Sequence, residues 1–248
     1  MVPRRPAAEA KRLLKRRDFR RLRTLPGLSL MQENAESVTS RRATVELPLL
    51  VDTPDAWGEA ALRDPCALLN DHAHLEKKAA QNALELLHRW PEPTPPDNWV
   101  VAMTAVARDE VEHLALVVRL LSRRGGRLTK SHRNDYAAAL RVLIRRGGDE
   151  ETIDRLMISA LIEARSCERF EILSRVATDE ALAKVYKALW ASEKGHYLSF
   201  IDLARQVAAL EGDDAAAAVE DRWQMMLVEE RSIVMAQKPG PRMHSWVI

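Results

Sequence analysis

The residues most able to carry chemistry are two repeats of the pattern Glu-x-x-His. Glu110 and His113 lie in RDEVEH, residues 108–113, and Glu193 and His196 lie in SEKGH, residues 192–196. Both repeats interrupt apolar helical patterns, and residues three apart share one face of a helix. A carboxylate inside an apolar stripe is costly unless its charge is compensated. The identical spacing therefore predicts that the two repeats share one partner.

Two further glutamates, Glu76 and Glu163, align with the apolar stripes of two other predicted helices. The four helices together would aim four carboxylates and two imidazoles at one core. Four carboxylates balance two divalent cations, and added imidazole favours iron or manganese over calcium. One Glu from each of two helices plus Glu-x-x-His from the other two is the ligand set of di-iron and di-manganese carboxylate proteins. The alternative, salt bridges on solvated faces, conflicts with the helical phase.

By analogy with this class of site, the expected ligands are the bridging pair Glu110 and Glu193, with Glu76 and His113 on one metal and Glu163 and His196 on the other. Metal-bound histidines usually donate their second N–H to a carboxylate or carbonyl, so Asp109 is a candidate partner of His196. Glu168 falls off the apolar stripe beside arginines and is expected to be solvated. Cys167 is expected to be a buried free thiol, with lining of a pocket as the alternative.

Helix start and stop signals must place these residues, and they predict an all-α chain. Scarce Gly and abundant Ala, Leu, Arg and Glu agree. Two helical hairpins are joined by a long connection that carries its own helix, which is the ferritin-like four-helix bundle with one long crossover and extra terminal helices. Thr178 is the expected N-cap of the fourth bundle helix. The expected helices span about 55–62, 66–89, 98–124, 136–146, 150–176, 179–212 and 214–235.

Charge and composition divide the 248-residue chain. Residues 1–24 hold ten Lys/Arg and two acidic residues, so the rest is net acidic. We expect a basic, flexible arm and linker over 1–45, a helical domain over 46–212, and a C-terminal helix and tail over 213–248. The arm either binds a polyanion or has no role. Two distant cysteines, no secretory signal and no apolar run long enough to span a membrane predict a cytoplasmic protein.

Four segments give the chain a family resemblance. LLNDHAHLEKKAAQNALELL (68–87), ARDEVEHLALVVRLL (107–121), ISALIEARSCERFEIL (158–173) and ASEKGHYLSFIDLA (191–204) resemble the MiaE-type tRNA hydroxylases. The resemblance spans about residues 47–210, and HLEKKAA and EARSCERF point to this family in particular.

The resemblance implies an O₂-dependent di-iron monooxygenase. Its substrate would be a tRNA whose adenosine next to the anticodon carries methylthio and isopentenyl groups, and it would hydroxylate the isopentenyl side chain. It would need two iron ions, O₂ as co-substrate, and an external electron donor such as a reductase or ferredoxin. Monomer and dimer both remain open.

A tRNA substrate also requires positive surface, and basic residues concentrate around two Gly-Gly turns. The alternative is that they are the ordinary solvated ends of long helices. The candidates for contact with tRNA are Arg119, Arg123, Arg124, Arg127, Lys130, Arg133, Arg141, Arg145 and Arg146.

The metal motif alone leaves other functions open. A di-iron hydroxylase of a small lipophilic molecule such as a quinone would use the same ligands. A non-catalytic ferritin-like protein that handles iron or peroxide would also use them, and an RNA-binding helical protein with a vestigial site is a further alternative. The basic crossover and the four segments favour the tRNA hydroxylase.

Overall fold

A computed structural model describes residues 47–247 of the chain, and in that part all regular secondary structure is helical. The predicted all-α class is confirmed. The predicted arm at 1–45 lies outside the described residues. The helices are α1 Asp55–Ala61, α2 Pro65–Leu86, α3 Trp99–Arg123, α4 Asp135–Arg141, α5 Gly148–Val176, α6 Glu180–Leu210 and α7 Asp213–Met235.

Four long helices form the bundle that the sequence predicts. Helices α2 and α3 pack as one hairpin, α5 and α6 pack as the other, and α3 contacts α6 between the hairpins. The connection between the hairpins carries α4, which packs on α5 and α7. This is the ferritin-like arrangement with one long crossover. None of the helices in residues 47–247 is long and apolar enough to cross a membrane.

Helix ends differ from the sequence prediction by up to five residues, and two of the differences have a visible cause. Helix α6 is capped by Asp179 rather than Thr178, because the Asp179 side chain accepts hydrogen bonds from the N–H groups of Ala181 and Leu182. Helix α4 ends at Arg141 rather than at residue 146. The backbone N–H of Arg145 donates to the buried Asp154 carboxylate at 2.8 Å, so a long-range bond replaces the helical one there. Such an interaction leaves no local signal in the sequence.

Helix α7 and the tail complete the core. Trp223, Met226 and Leu227 are buried in the cluster that also contains bundle residues of α3, α5 and α6. The tail then returns to the other end of the bundle, where the indole N–H of Trp57 donates to the Ser245 hydroxyl at 3.0 Å. Residues 213–247 thus pack against the bundle, and their separation into a segment of their own stays a prediction.

A buried ionic network ties these parts together. Arg165 donates to both carboxylate oxygens of Glu230 at 2.9 Å, and both side chains are fully buried. Tyr136 donates its hydroxyl to the same carboxylate at 2.8 Å. Glu168 accepts from the Thr53 N–H and from Arg165, and it is 8% exposed. The expectation of a solvated Glu168 is therefore wrong, because Thr53 reaches it from a distant loop while Arg165 binds it from the preceding turn of the same helix.

Candidate metal centre and cavity

The bundle brings the six predicted ligands together. They come from α2, α3, α5 and α6, and every one faces the interior. Two overlapping sets each offer four ligand atoms within 4.8 Å of one another. The first set is Glu76, Glu110, His113 and Glu193, and the second is Glu110, Glu163, Glu193 and His196. Glu110 and Glu193 belong to both sets, which is the position expected of bridging carboxylates.

Each imidazole lies against the shared carboxylates. His113 Nδ1 lies 3.2 Å from Glu193 Oε1 and 3.7 Å from Glu76 Oε2. His196 Nδ1 lies 2.8 Å from Glu110 Oε1 and 3.4 Å from Glu193 Oε2. Each imidazole is therefore closer to the shared glutamate of the other hairpin than to the one on its own helix.

Protein partners alone leave this cluster unsatisfied. Both carboxylate oxygens of Glu110, the Nδ1 atom of His113 and both ring nitrogens of His196 are buried and form no hydrogen bond with proper geometry. Buried polar atoms are normally paired, and each unpaired one costs about 1–3 kcal/mol. Bound cations would satisfy these atoms together, so the residues fit a metal centre.

The electrostatics of the cluster lead to the same conclusion. Burial, together with the charges of Glu193 and Glu76, raises the pKa of Glu110 well above its ordinary value. Burial alone would lower the pKa of His113, but the facing carboxylates outweigh it and raise that pKa to about 11. The same balance raises the pKa of His196 to about 10. Without cations, the cluster must hold protons to neutralise its carboxylates.

Neighbouring residues hold the cluster in place. His72, which contacts the Glu76 carboxylate through Nε2, stacks on Tyr186 and its ring centroid lies 4.9 Å from that of Phe170. Burial lowers the pKa of His72 to about 4, so its ring is neutral. Asp109 Oδ2 lies 3.6 Å from His196 Nε2, slightly beyond hydrogen-bond distance.

Cys167 is a buried free thiol, as expected. Its Sγ lies 3.4 Å from the Trp190 carbonyl oxygen. It is absent from the lining of the cavity that reaches the cluster, so the alternative role does not hold.

That cavity opens beside α2, α4 and α5 and has a volume of about 830 Å³ counted to its open mouth. Its lining includes all four cluster glutamates. The rest of the lining combines apolar side chains with polar ones, and among the polar ones Asn82 donates to the Ser159 hydroxyl at 2.8 Å. The apolar lining residues include Leu75, Ala79, Ala137, Ile144, Ile158, Ile162 and Phe170.

Three basic side chains, Lys78, Arg141 and Arg155, also line this cavity. Only Arg141 was among the predicted tRNA contacts. Sequence reasoning missed Lys78 and Arg155, because basic residues on helix borders are common and nothing local distinguishes those beside a cavity. The HLEKKAA segment, which contains Lys78, was the one available signal.

The other predicted tRNA contacts differ in whether they form salt bridges with acidic residues. Arg124 pairs with Asp179, and Arg133 pairs with Asp135. Arg145 is held by Asp154 and Glu150. No salt bridge within the described part of the chain involves Arg119, Arg123, Arg127, Lys130 or Arg146.

A four-helix bundle with a buried carboxylate–histidine cluster at the floor of a cavity defines a ferritin-like protein with a site compatible with a metal centre. Residues 42–245 match the family described as tRNA-(MS[2]IO[6]A)-hydroxylase (MiaE). The chain therefore belongs to the MiaE family, and the predicted resemblance is confirmed.

Two curated relatives carry the same name, tRNA 2-(methylsulfanyl)-N(6)-isopentenyladenosine(37) hydroxylase. The protein from Pseudomonas putida is 38% identical over 79% of this chain and 90% of its own length. The protein from Salmonella typhimurium is 30% identical over 67% of this chain and 77% of its own length. A solved structure described as a protein with aldehyde deformylating oxygenase activity from Synechococcus superposes with a TM-score of 0.71. That structure is 32% identical and covers 80% of this chain and 96% of its own.

Proposed function

We propose that this protein is a di-iron, O₂-dependent tRNA hydroxylase. Its substrate is the 2-methylthio-isopentenyl-adenosine next to the anticodon, and it hydroxylates the isopentenyl side chain. The observation that carries this proposal is the cavity, partly lined by apolar side chains, that reaches the four glutamates of the carboxylate–histidine cluster. Membership of the MiaE family and the names of the two relatives support the substrate.

The proposed ligands of two iron ions are Glu76, Glu110, His113, Glu163, Glu193 and His196, with Glu110 and Glu193 shared. Four carboxylates balance the charge of two Fe(II) ions, and imidazole suits iron. Bound iron would supply the redox chemistry that activates O₂. In the overall reaction one oxygen atom enters a C–H bond, and the other leaves as water after uptake of two electrons and two protons from an external donor.

The chain's own residues bind and orient the substrate. The apolar walls match an isopentenyl group, remove its surface from water, and hold its carbons above the cluster. Fixing one C–H bond near the reactive centre supplies much of the rate, since orientation replaces a bimolecular encounter. His72 holds the Glu76 carboxylate, and Asp109 faces the second ring nitrogen of His196 at 3.6 Å.

The proposed function also has consequences for the location of the protein, its electron donor and its basic N-terminal segment. We infer a cytoplasmic location, because a tRNA is the substrate. The electron donor would be a reductase or a ferredoxin-type protein. Residues 1–45, with their excess of Lys and Arg, would add sequence-independent affinity for tRNA.

One experiment tests the reaction. Iron-loaded protein is incubated with O₂, a reductant and tRNA bearing the methylthio-isopentenyl nucleotide, and the nucleosides are analysed by mass spectrometry. We expect one added oxygen atom on that nucleoside. An unchanged nucleoside, together with oxidation of a quinone offered in its place, would establish the small-molecule alternative instead.

Matched variants test the site. Glu110→Ala and Glu193→Ala should each lose iron and product together. Glu112→Ala, on the exposed face of the same helix as Glu110, should keep both. Iron content that is unchanged in Glu110→Ala and Glu193→Ala would contradict the shared site.

A further inference from the structure

Two basic side chains border the cavity without a direct carboxylate partner in the described residues. Lys78 on α2 and Arg141 at the end of α4 both line the cavity. No carboxylate within residues 47–247 forms a salt bridge with either one. Both side chains border the same cavity space. Two cations that line one cavity, neither of them in a salt bridge, indicate a place for an anion.

Lys78 is held in a defined position. Its ammonium donates to His132 Nδ1 at 2.9 Å, and His132 Nε2 lies 2.7 Å from Asp71 Oδ1. Asp71 is fixed in turn by the backbone N–H of Met243, which donates to its other oxygen at 2.9 Å. The Lys78 ammonium also donates to the His132 carbonyl oxygen at 3.5 Å, and because a lysine ammonium has three donors, one donor remains. The side chain is thus oriented and still able to bind a ligand.

Other basic residues nearby are already engaged. Arg155, which lines the same cavity, donates two bonds to Glu151 at 2.8 and 2.9 Å. Arg145 is held by the buried carboxylate of Asp154. Among the basic side chains that line the cavity, Lys78 and Arg141 are therefore the two without a direct carboxylate partner in residues 47–247.

We propose that Lys78 and Arg141 form a clamp for a backbone phosphate of the nucleotide whose modified base enters the cavity. This inference rests on the proposed function for the identity of the nucleotide. A side chain on the base can reach the cluster only if the attached ribose and phosphates remain at the cavity mouth. Lysine and arginine bind phosphate through short, charge-assisted hydrogen bonds.

The test is a binding measurement on the full-length, iron-loaded protein. Fluorescence anisotropy gives the Kd for an anticodon stem–loop that carries the modified nucleotide. Lys78→Met and Arg141→Met remove a charge and keep most of the side-chain bulk. Each should raise Kd about 10- to 100-fold, the usual effect of losing a charge-assisted bond. The slope of log Kd against log salt should also fall by about 0.7–1 in each variant, because one fewer phosphate charge is neutralised.

Charge-matched controls separate a clamp from general attraction. Lys187 on α6 and Arg231 on α7 are exposed and lie outside the cavity lining. Lys187→Met and Arg231→Met should bind the stem–loop as the wild type does. The clamp would be overturned if these control variants lost as much affinity as Lys78→Met and Arg141→Met. It would also be overturned if Arg141→Met had the same Kd as the wild type. Because Arg141 is exposed, its variant decides the matter even if Lys78→Met misfolds.

The binding result is independent of turnover. If the wild type fails to hydroxylate the stem–loop, but Lys78→Met and Arg141→Met bind it more weakly than the wild type does, the clamp is supported and the proposed reaction is contradicted. If the wild type hydroxylates it while both variants bind it normally, the reaction stands and the clamp falls.

Discussion

Replacing one glutamate of the cluster should stabilise the metal-free protein. Glu110 is fully buried, and neither of its carboxylate oxygens forms a hydrogen bond with proper geometry, although His196 Nδ1 lies 2.8 Å from Oε1. Burial and the charges of Glu193 and Glu76 raise its pKa from the ordinary 4.5. A carboxyl group with a raised pKa in the folded state loses stability as pH rises above its unfolded value. Glu110→Gln removes that cost while keeping the shape of the side chain.

The size of the effect has an upper bound. Even complete protonation of the carboxyl group at pH 7, against an unfolded pKa of 4.5, would cost no more than about 3 kcal/mol, at about 1.36 kcal/mol per pH unit. For a chain of this size, 1 kcal/mol shifts Tm by about 2–4 °C. Metal-free Glu110→Gln should therefore melt up to about 6–12 °C above the wild type at pH 7. The gain should shrink at pH 5, where the unfolded state also holds part of its proton.

The neighbouring Glu193 should behave in the opposite way. Burial alone would raise its pKa, but His113 and His196 outweigh burial and lower it. Glu193→Gln leaves two buried imidazolium groups without their carboxylate, and breaking a buried ion pair costs about 3–5 kcal/mol. Metal-free Glu193→Gln should thus melt well below the wild type.

Calorimetry of chelator-treated protein, with and without added Mn(II), measures these effects. Mn(II) should raise the Tm of the wild type more than that of either variant, because binding to the folded state alone adds stability. Glu112→Gln, on the exposed face of α3, is the matched control and should follow the wild type. A metal-free Glu110→Gln that melts below the wild type would refute the reasoning.

Three further changes have definite expected outcomes. Arg165→Met should lower the free energy of unfolding by about 3–5 kcal/mol, because it strands the buried carboxylate of Glu230. The double change with Glu230→Met should recover most of that loss in urea denaturation, and no recovery would contradict the pairing. Ala79→Phe should abolish hydroxylation at unchanged iron content by filling the cavity, and normal turnover would place the substrate elsewhere. Burial lowers the pKa of His244 from 6.5 to about 3, so the free energy of unfolding should fall as pH drops below 6.5, by about 2 kcal/mol at pH 5. The variant His244→Gln should flatten this pH dependence. An unchanged pH profile in the variant would contradict the assignment.

The sequence by itself determined the bundle and the members of the cluster. Glu110 and His113 share a helix face because the period of the α-helix is local and fixed, and the same rule applies to Glu193 and His196. A polar residue in an apolar stripe must face the core, so phase alone directed all six side chains inward. Helix ends were located to within a few residues, since caps such as Asp179 lie close to the residues that signal them.

Only the tertiary structure decided what surrounds the cluster. Lys78 and Arg141 line one cavity although they come from different helices, and the sequence around each residue does not indicate that role. Glu168 is buried because Thr53 reaches it from a distant loop, and α4 stops early because Asp154 binds the Arg145 backbone. These features depend on which surfaces pack together across the chain. Helix periodicity fixes the direction of a side chain, whereas packing alone fixes what it meets.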